Sequence, residues 1–201
     1  MDKSLYLDHT NLLPIPGEVF FYPDFFDAKE SDEHFRYLKS AVDWKQDSIR
    51  MAGKEVLQPR LTAFYGEKGV SYNSMGFVMK ALPWIDVLQS IKQDIEGKFD
   101  VKFNSCQLSH YRDGSDYIGW HRDNKKSLGQ YPFIASVSFG ASRIFQFRHY
   151  ADKIPIISIE LTHRSLLIMK AETQHLWEHR LPKTILPIGP RINLTFRHII
   201  K

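Results

Sequence analysis

Residues 133–149, FIASVSFGASRIFQFRH, form two strand-like runs separated by a short turn at Gly140. In the first run Ala135, Val137 and Phe139 alternate with their neighbours, and the second run is rich in aromatic and branched residues. A period of two places successive side chains on opposite faces of a strand. Each run therefore predicts a half-buried β-strand.

Similar short runs fill the second half of the chain, bounded by Gly, Pro, Asp or Ser. No helical pattern intervenes between them, which favours an antiparallel sandwich or barrel such as a jelly roll. The sequence therefore predicts a mainly β fold with flanking helices (α+β). The further runs are VKFNSCQLSHY (101–111), PIISIEL (155–161), SLLIMK (165–170) and RINLTFRHII (191–200).

Two helices are predicted before residue 100. In 24–44, Asp27 and Glu30 have the spacing of a capping box, and apolar residues follow at helical intervals. In 82–99, apolar residues again line one face of a helix, and Gly97 marks its predicted end.

The rest of the first hundred residues has a weaker pattern. Residues 1–22 are interrupted by prolines and are predicted to be irregular. Residues 45–80 are predicted to form short strands and loops, and their role leaves two interpretations open. They are either a solvated, turn-rich connector or a nucleotide-facing lid, in which cations meet phosphates and rings stack on bases. The cations and rings of this segment include Lys45, Arg50, Lys54, Arg60, Lys68, Phe64, Tyr65 and Tyr72.

Composition limits the class of protein. The chain has 201 residues, 43% of them hydrophobic, which is enough for a core without disulfides. Cys106 is the only cysteine, which excludes a disulfide-rich secreted protein and favours a reducing compartment. The N-terminus lacks the apolar run of a signal peptide or membrane span, so an intracellular protein is predicted. The net charge of +4 weakly favours polyanionic partners.

The stretch GWHRDN, residues 119–124, places an imidazole and a carboxylate two positions apart. In a strand, His121 and Asp123 would point to one face and Arg122 to the other. With a further histidine they would form a 2-His-1-carboxylate set, which leaves open positions and suits non-haem Fe(II). The pair alone also fits a chance occurrence, because the chain has nine histidines.

Spacing alone does not select the further histidine. His149 and His163 flank strands near charged residues, as is typical of solvated side chains. His175 and His179 both lie just upstream of the last strand, and the residues leave the two as alternatives. The full set of downstream candidates is His149, His163, His175, His179 and His198.

The last strand places Arg191 and Arg197 on the face opposite its apolar residues. At about 3.3 Å per residue their α-carbons are roughly 20 Å apart in a flat strand. Arg presents a planar fork that grips carboxylates with two hydrogen bonds, so the gap between the two side chains would suit a short dicarboxylate. The alternative is an exposed polar face with two solvated arginines.

Taken together, these motifs resemble the AlkB family of Fe(II)- and 2-oxoglutarate-dependent dioxygenases, most closely its DNA-repair branch. The resemblance implies a single domain, 1–201. Within it, 1–100 would be an N-terminal extension with a nucleotide-recognition lid, and 101–201 a double-stranded β-helix (jelly-roll) catalytic core. It is carried by His121-Arg122-Asp123, ASVSFGASRIFQFRH (135–149) and LPKTILPIGPRINLTFR (181–197), with a thinner likeness in PRLTAFYGEKGVSY (59–72).

The resemblance also implies which residues bind the cofactors. The family places its second histidine a short loop before the final strand, which selects His179 over His175. The implied catalytic and metal-binding set for Fe(II) is therefore His121, Asp123 and His179, with O₂ as the oxidant. The family often has Asn where this chain has Ser109. The residues implied to bind 2-oxoglutarate are Tyr111, Ser109, Arg191, Asn193, Thr195 and Arg197.

Contacts with a substrate base are implied as well. Some relatives stack an aromatic ring on a flipped base, where this chain has Ser74 or Met75, with Tyr72 nearby. The His121 ring is a second candidate for stacking. Met51 takes the position of an apolar wedge that fills the vacated duplex site. The residues predicted to contact substrate are Met51, Tyr65, Tyr72, Ser74, Arg122 and Asn124.

The implied reaction is oxidative demethylation of N-alkylated bases in DNA, of the 1-methyladenine and 3-methylcytosine type. It is coupled to decarboxylation of 2-oxoglutarate and releases formaldehyde and succinate. The implied protein is a monomer that binds alkylated DNA, or RNA, and no membrane, in the cytoplasm of a bacterium or the nucleus of a eukaryote. Two alternatives are an oxygenase of the same fold with an RNA or non-nucleic-acid substrate, and a non-catalytic nucleic-acid-binding module.

Overall fold

The computed structural model describes residues 10–14, 16–51, 54–74 and 77–200. The side chains of residues 49–51, 54, 74 and 77 lie outside this description. In chain order the elements are β1 (Glu18–Tyr22), α1 (Ala28–Ala41), β2 (Ser48–Met51), β3 (Lys54–Leu57), β4 (Leu61–Gly66), β5 (Ser71–Ser74), β6 (Phe77–Lys80), α2 (Asp86–Phe99), β7 (Ser105–Tyr111), β8 (Ile118–His121), β9 (Ile134–Gly140), β10 (Arg143–His149), β11 (Ile156–Leu161), β12 (Ser165–Lys170), α3 (Thr173–Leu176), β13 (Trp177–Leu181) and β14 (Arg191–Arg197).

Two antiparallel sheets form the body of the fold. The larger has six strands in the order β1-β12-β9-β14-β7-β4, and the smaller has four in the order β11-β10-β13-β8. Strands that follow one another in the chain often lie in different sheets, which is the arrangement of a jelly roll. The predicted jelly-roll core is confirmed. Two short ribbons, β2–β3 and β5–β6, lie in the predicted lid segment.

Each face of the larger sheet covers a hydrophobic cluster. One face packs against α1 and α2, where Leu38 and Ile91 of the helices meet Leu194 and Phe196 of β14. The other face packs against the smaller sheet, through residues such as Phe147. The alternation predicted for the last strand is therefore confirmed. Its apolar residues face the helices, and its polar residues face the smaller sheet.

The two predicted helices are present, but one ends differently. The carboxylate of Asp27 accepts a hydrogen bond from the Glu30 backbone N–H at 3.1 Å, as the capping motif predicts. The predicted end of α2 at Gly97 is wrong. The helix continues to Phe99, and Asp100 ends it in a left-handed conformation with φ of 48°. Both helices span 14 residues, and within the described ranges no helix has the length and apolar character of a membrane-crossing segment.

Three strands were missing from the sequence-based prediction. β1 lies within residues 1–22, which were predicted to be irregular, and it pairs with β12 at the edge of the larger sheet. β8 has four residues and β13 has five, so neither repeats a period-two pattern long enough to stand out. β1 and β4 join the larger sheet although they precede residue 100, so the predicted N-terminal extension supplies strands as well as helices.

Glu96 ties α2 to the chain that leads into β7. The residue is 7% exposed, and its carboxylate accepts a hydrogen bond from the Phe103 N–H at 2.7 Å. The ammonium of Lys92 lies 2.9 Å from the same oxygen. Burial raises the pKa of Glu96, but the Phe103, Lys92 and Lys102 donors lower it more, so its pKa lies below the ordinary value.

We expect Glu96→Gln to lower the free energy of unfolding at pH 7 by about 1–3 kcal/mol, because buried donors lose their charged acceptor. A carboxyl with a depressed folded pKa stabilises the fold above its unfolded pKa, and this contribution is lost as pH falls through the folded value. The difference between wild type and variant should therefore shrink below about pH 4.3. Urea denaturation at several pH values measures this difference in the free energy of unfolding. The control variant is Glu33→Gln, at an exposed position on α1. Equal stability at pH 7 would contradict this account.

Candidate metal centre and its cavity

A cavity of about 230 Å³ lies between the two sheets. Its walls come from β7, β9, β12 and β14 of the larger sheet and from β8, β10 and β13 of the smaller. Arg60 and Tyr72, from the first hundred residues, complete the lining. The polar face of β14 and both histidine-bearing strands therefore meet at one cavity.

Three potential metal ligands converge at this cavity. His121 ends β8, and its Cα partner across the antiparallel pair is His179 of β13. The two ring centroids are 4.3 Å apart. Together with the Asp123 carboxylate, the ligand atoms all lie within 4.8 Å of one another. Two imidazoles and one carboxylate thus occupy a single corner of the cavity.

Asp123 reaches this corner from the loop after β8 rather than from the strand. Its backbone N–H donates to Gln174 Oε1 at 2.8 Å, and its carboxylate accepts a hydrogen bond from Arg197 Nη2 at 2.6 Å. The prediction that strand alternation orients Asp123 and turns Arg122 away is therefore wrong, because the strand ends at His121 and Arg122 also lines the cavity.

The ionisation of the three groups suits a divalent cation. Burial raises the pKa of Asp123, but Arg197 and the two imidazoles lower it more, so the carboxyl is ionised and its pKa lies below the ordinary value. Burial lowers the pKa of His121, and burial together with the neighbouring His121 lowers the pKa of His179 to about 3. Neutral imidazoles and an ionised carboxylate are the forms that bind metal.

The hydrogen bonds of His121 also fix which nitrogen is free. Its Nδ1 lies 2.8 Å from the Gly119 carbonyl oxygen, to which it donates, and this leaves Nε2 as the ligand atom.

Of the two histidines that spacing left open, His179 joins the triad. His175 is exposed on α3, with its ring against Tyr131. Two imidazole nitrogens and one carboxylate oxygen beside an open cavity fit non-haem Fe(II).

Arg197 forms an ion pair with Asp123, one of the three potential metal ligands. It donates to Asp123 through Nη2 and to Gln107 Oε1 through Nη1, at 2.6 and 2.9 Å. Its guanidinium lies 5.3 Å from the centroid of the Tyr72 ring. Of the two arginines predicted to grip a dicarboxylate, Arg197 therefore already has a carboxylate partner, and its main contact orients a metal ligand.

Arg191 is a buried cation on the opposite end of the same strand. It is 2% exposed, its Nη2 donates to Ser138 Oγ at 2.8 Å, and its guanidinium lies 5.3 Å from the Tyr111 ring. Burial lowers the pKa of Arg191 to about 10. Among the described residues it forms no ion pair, and its Nε has no hydrogen-bond partner. A buried guanidinium without a counter-ion fits an anionic ligand. Arg191 itself lies behind Tyr111, which lines the cavity.

The remaining residues predicted to bind 2-oxoglutarate form one wall of the cavity. Asn193 Nδ2 donates to Ser136 Oγ and to the Val137 carbonyl oxygen, both at 2.8 Å. Thr195 Oγ1 donates to Asn193 Oδ1 at 3.1 Å. Ser109 lies directly opposite Asn193 in the β7–β14 pair and also lines the cavity.

Comparison with known proteins identifies the family. A family model described as the 2OG-Fe(II) oxygenase superfamily matches residues 18–197. The chain is 41% identical over 198 residues to alpha-ketoglutarate-dependent dioxygenase alkB homolog 3 of Mus musculus, a match covering 91% of the chain and 66% of that relative. It is 36% identical over 189 residues to DNA oxidative demethylase ALKBH2 of Homo sapiens, covering 89% of the chain and 72% of the relative. The chain belongs to the AlkB family.

This AlkB-family chain spans about two thirds of the length of the curated relatives it matches. The solved structure of OsALKBH1 has a TM-score of 0.65 at 14% identity and covers 92% of the chain and 99% of that structure, which shows the shared fold. The family is defined by Fe(II) and 2-oxoglutarate. The triad offers ligands for the first, and the uncompensated cation of Arg191 fits the second.

The predicted substrate contacts of this AlkB-family protein divide into three groups. Tyr72 and Arg122 line the cavity. Tyr65 is 4% exposed within the cluster between the larger sheet and the helices, and Asn124 is exposed on the surface, so neither is among the lining residues. The side chains of Met51 and Ser74, and all of Met75, lie outside the described residues.

Two side chains at the site, Gln107 and Gln174, were not singled out from the sequence, and a third, Arg60, was predicted only as one of several lid cations. Gln107 binds Arg197, Gln174 binds the backbone of Asp123, and Arg60 enters the lining from the start of β4. Gln107 precedes Ser109 and Tyr111 at intervals of two on β7, so strand alternation would have placed it on the same face. Nothing local in the sequence marks Gln174.

Proposed function

We propose that this protein is a DNA oxidative demethylase that removes N-alkyl groups from bases of the 1-methyladenine and 3-methylcytosine type. The observation that carries the proposal is the position of the triad, which lines the same cavity as Tyr72 and Arg60. The name of one relative, a DNA oxidative demethylase, supports the same reaction.

In this proposal His121, Asp123 and His179 hold Fe(II). When bound, Fe(II) would supply, with 2-oxoglutarate and O₂, the oxidation of the N-methyl group that yields formaldehyde, succinate, CO₂ and the repaired base. Arg197 holds one oxygen of Asp123 and so fixes the orientation of this ligand. The sheets on both sides leave Asp123 and His179 only 6% and 3% exposed.

Arg191 is the proposed anchor for 2-oxoglutarate. Its fork can grip a carboxylate with two hydrogen bonds, and the Tyr111 hydroxyl stands beside it at the cavity wall. Thr195 and Asn193, joined by a hydrogen bond, form the remaining wall together with Ser109, which lies opposite Asn193 in the β7–β14 pair. Thus β14 would carry the cosubstrate anchor at one end and the positioning contact for the metal ligand at the other.

A base stacked in a duplex does not reach a cavity between two sheets, so the substrate base must be flipped out or single-stranded. Tyr72 is the proposed stacking surface, because its ring lines the cavity and is held beside Arg197. Arg122 and Lys125, also in the lining, are placed for phosphate or base-edge contacts. In this assignment 1–100 acts as extension and lid, 101–201 is the catalytic core, and the protein acts as a monomer on alkylated DNA inside the cell.

The proposed activity is tested with Fe(II), 2-oxoglutarate and a panel of oligonucleotides that carry 1-methyladenine or 3-methylcytosine in DNA and in RNA. Mass spectrometry of the bases and formaldehyde release should show demethylation of the DNA substrates. If only the RNA substrates are demethylated, the proposed substrate is RNA and not DNA. Succinate formation without base repair on any oligonucleotide would indicate another substrate.

Arg60 provides a test of the substrate side of the cavity. It is 3% exposed, its one hydrogen bond reaches the Tyr117 carbonyl oxygen at 3.5 Å, and its Nε has no partner in the described part of the chain. We expect Arg60→Met to raise KM for the methylated oligonucleotide about 10-fold, the loss of one charged hydrogen bond. KM for 2-oxoglutarate should not change. Arg36→Met, on the exposed face of α1, is the control, and equal KM values for both variants would remove Arg60 from this role.

A further inference from the structure

We propose that Gln174 is a positioning residue for the metal triad and that α3 acts as a clamp on the segment carrying Asp123. The inference rests on the proposed metal-binding function of His121, Asp123 and His179. It assigns a role to a side chain that touches neither the cavity nor the ligand atoms, and it explains how a ligand outside the strands is held.

The contacts of Gln174 are specific. The side chain is fully buried, with 0% exposure. Its Oε1 accepts the hydrogen bond of the Asp123 N–H at 2.8 Å, which fixes the orientation of the amide because only the oxygen can accept. Its Nε2 is then turned toward Met169 Sδ, 3.5 Å away, and Met169 lines the cavity. Gln174 therefore spans from the smallest helix to the backbone of a metal ligand.

His175, the neighbour of Gln174 on α3, contacts the same segment at two places. Arg122 Nη1 donates to the His175 carbonyl oxygen at 2.8 Å, and the His175 ring bonds to the carbonyl of Gln130. The guanidinium of Arg122 also lies 3.5 Å from the Tyr150 ring centroid. Consecutive residues of α3 thus contact the start and the end of the segment 122–130.

The position of α3 next to β13 links two of the metal ligands. β13 follows α3 directly and carries His179, so one short helix is covalently joined to one ligand and hydrogen-bonded to another. His121 and His179 are held by the β8–β13 ladder, but Asp123 lies beyond its end. Arg197 orients the Asp123 carboxylate, and Gln174 fixes the Asp123 backbone. Without Gln174, a buried N–H would lose its acceptor and the loop would shift to find another.

The test measures Co(II) binding to the metal-free protein by calorimetry, without 2-oxoglutarate or substrate. Gln174→Met keeps the length of the side chain and removes the acceptor. We expect it to weaken Co(II) affinity about 10-fold, as for other residues that orient metal ligands. The matched control is Thr173→Val, also at 0% exposure on α3, whose hydroxyl bonds to Glu18 and Lys170 instead. Thr173→Val should lower the thermal unfolding midpoint and leave Co(II) affinity unchanged.

Equal loss of Co(II) affinity in both variants would reduce Gln174 to a general stabilising residue and overturn the proposal, as would unchanged affinity in Gln174→Met. If Gln174→Met does not fold, Arg122→Met removes the neighbouring contact to α3. It should also weaken Co(II) binding, and unchanged affinity there would equally refute the clamp. Absence of Co(II) binding by the wild type would instead contradict the metal centre itself, so the two failures are distinguishable.

Discussion

Replacing His179 with alanine should lower the kcat/KM of demethylation by at least about 1000-fold, equivalent to about 4 kcal/mol of transition-state stabilisation. The reason is geometric. His179 faces His121 directly across the β8–β13 pair, and its loss leaves one imidazole and one carboxylate for the ion. Formaldehyde release and metal content per chain measure the effect, and both should fall together.

His149→Ala is the matched control for this experiment. His149 ends β10, contacts Asp152 and the Trp177 ring, and does not line the cavity. Its replacement should leave activity and metal content unchanged. The His179 variant should keep its circular dichroism spectrum, because the His179 ring lines the cavity and the backbone pairing of β13 with β10 does not depend on this side chain. Full metal occupancy in His179→Ala would contradict the assignment of the triad.

The second large effect concerns Arg191. We expect Arg191→Met to raise KM for 2-oxoglutarate about 100-fold, within the range for losing one partner of a buried, hydrogen-bonded charge pair. The metal-free protein should not lose stability, because the charge of Arg191 is buried against Ser138 and Tyr111 without a carboxylate among the described residues. Removing such a charge costs the fold nothing and can stabilise it.

Two measurements separate these effects. Succinate formation at saturating oligonucleotide gives KM for 2-oxoglutarate, and thermal unfolding with and without 2-oxoglutarate gives the stabilisation by the ligand. The ligand should raise the unfolding midpoint of the wild type but not of Arg191→Met. Arg191→Lys keeps the charge but lacks the fork, so its KM should lie between the two. A KM unchanged in Arg191→Met would remove this residue from the cosubstrate site.

Much of the fold was readable from local patterns. The alternation in β9, β10, β11, β12 and β14 and the helical stripes of α1 and α2 are properties of neighbouring residues, and they predicted a jelly roll with flanking helices. The family resemblance then selected His179 over His175, and the structure pairs His179 with His121. Spacing alone had left that choice open.

The rest of the site depends on contacts between distant segments. Gln174 lies 51 residues from Asp123, and Gln107 lies 90 residues from Arg197. Such pairs leave no periodicity in the sequence, because each partner is placed by the sheet to which it belongs. Tyr65 shows the limit of residue type as a guide to position. Its aromatic character suggested a base contact, but strand alternation turns its ring into the core behind the sheet.

Because His121 and His179 are direct partners in the β8–β13 pair, the metal site forms only when these two strands pair in the observed register. β8 is a four-residue edge strand, and its pairing with β13 already shifts between His179 and Leu181. Because successive side chains alternate, sliding β8 by a single residue would present Trp120 where the imidazole belongs. Such a chain would lack the His121 ligand, so the triad would be incomplete. Metal binding therefore requires β8 to pair with β13 in this one register.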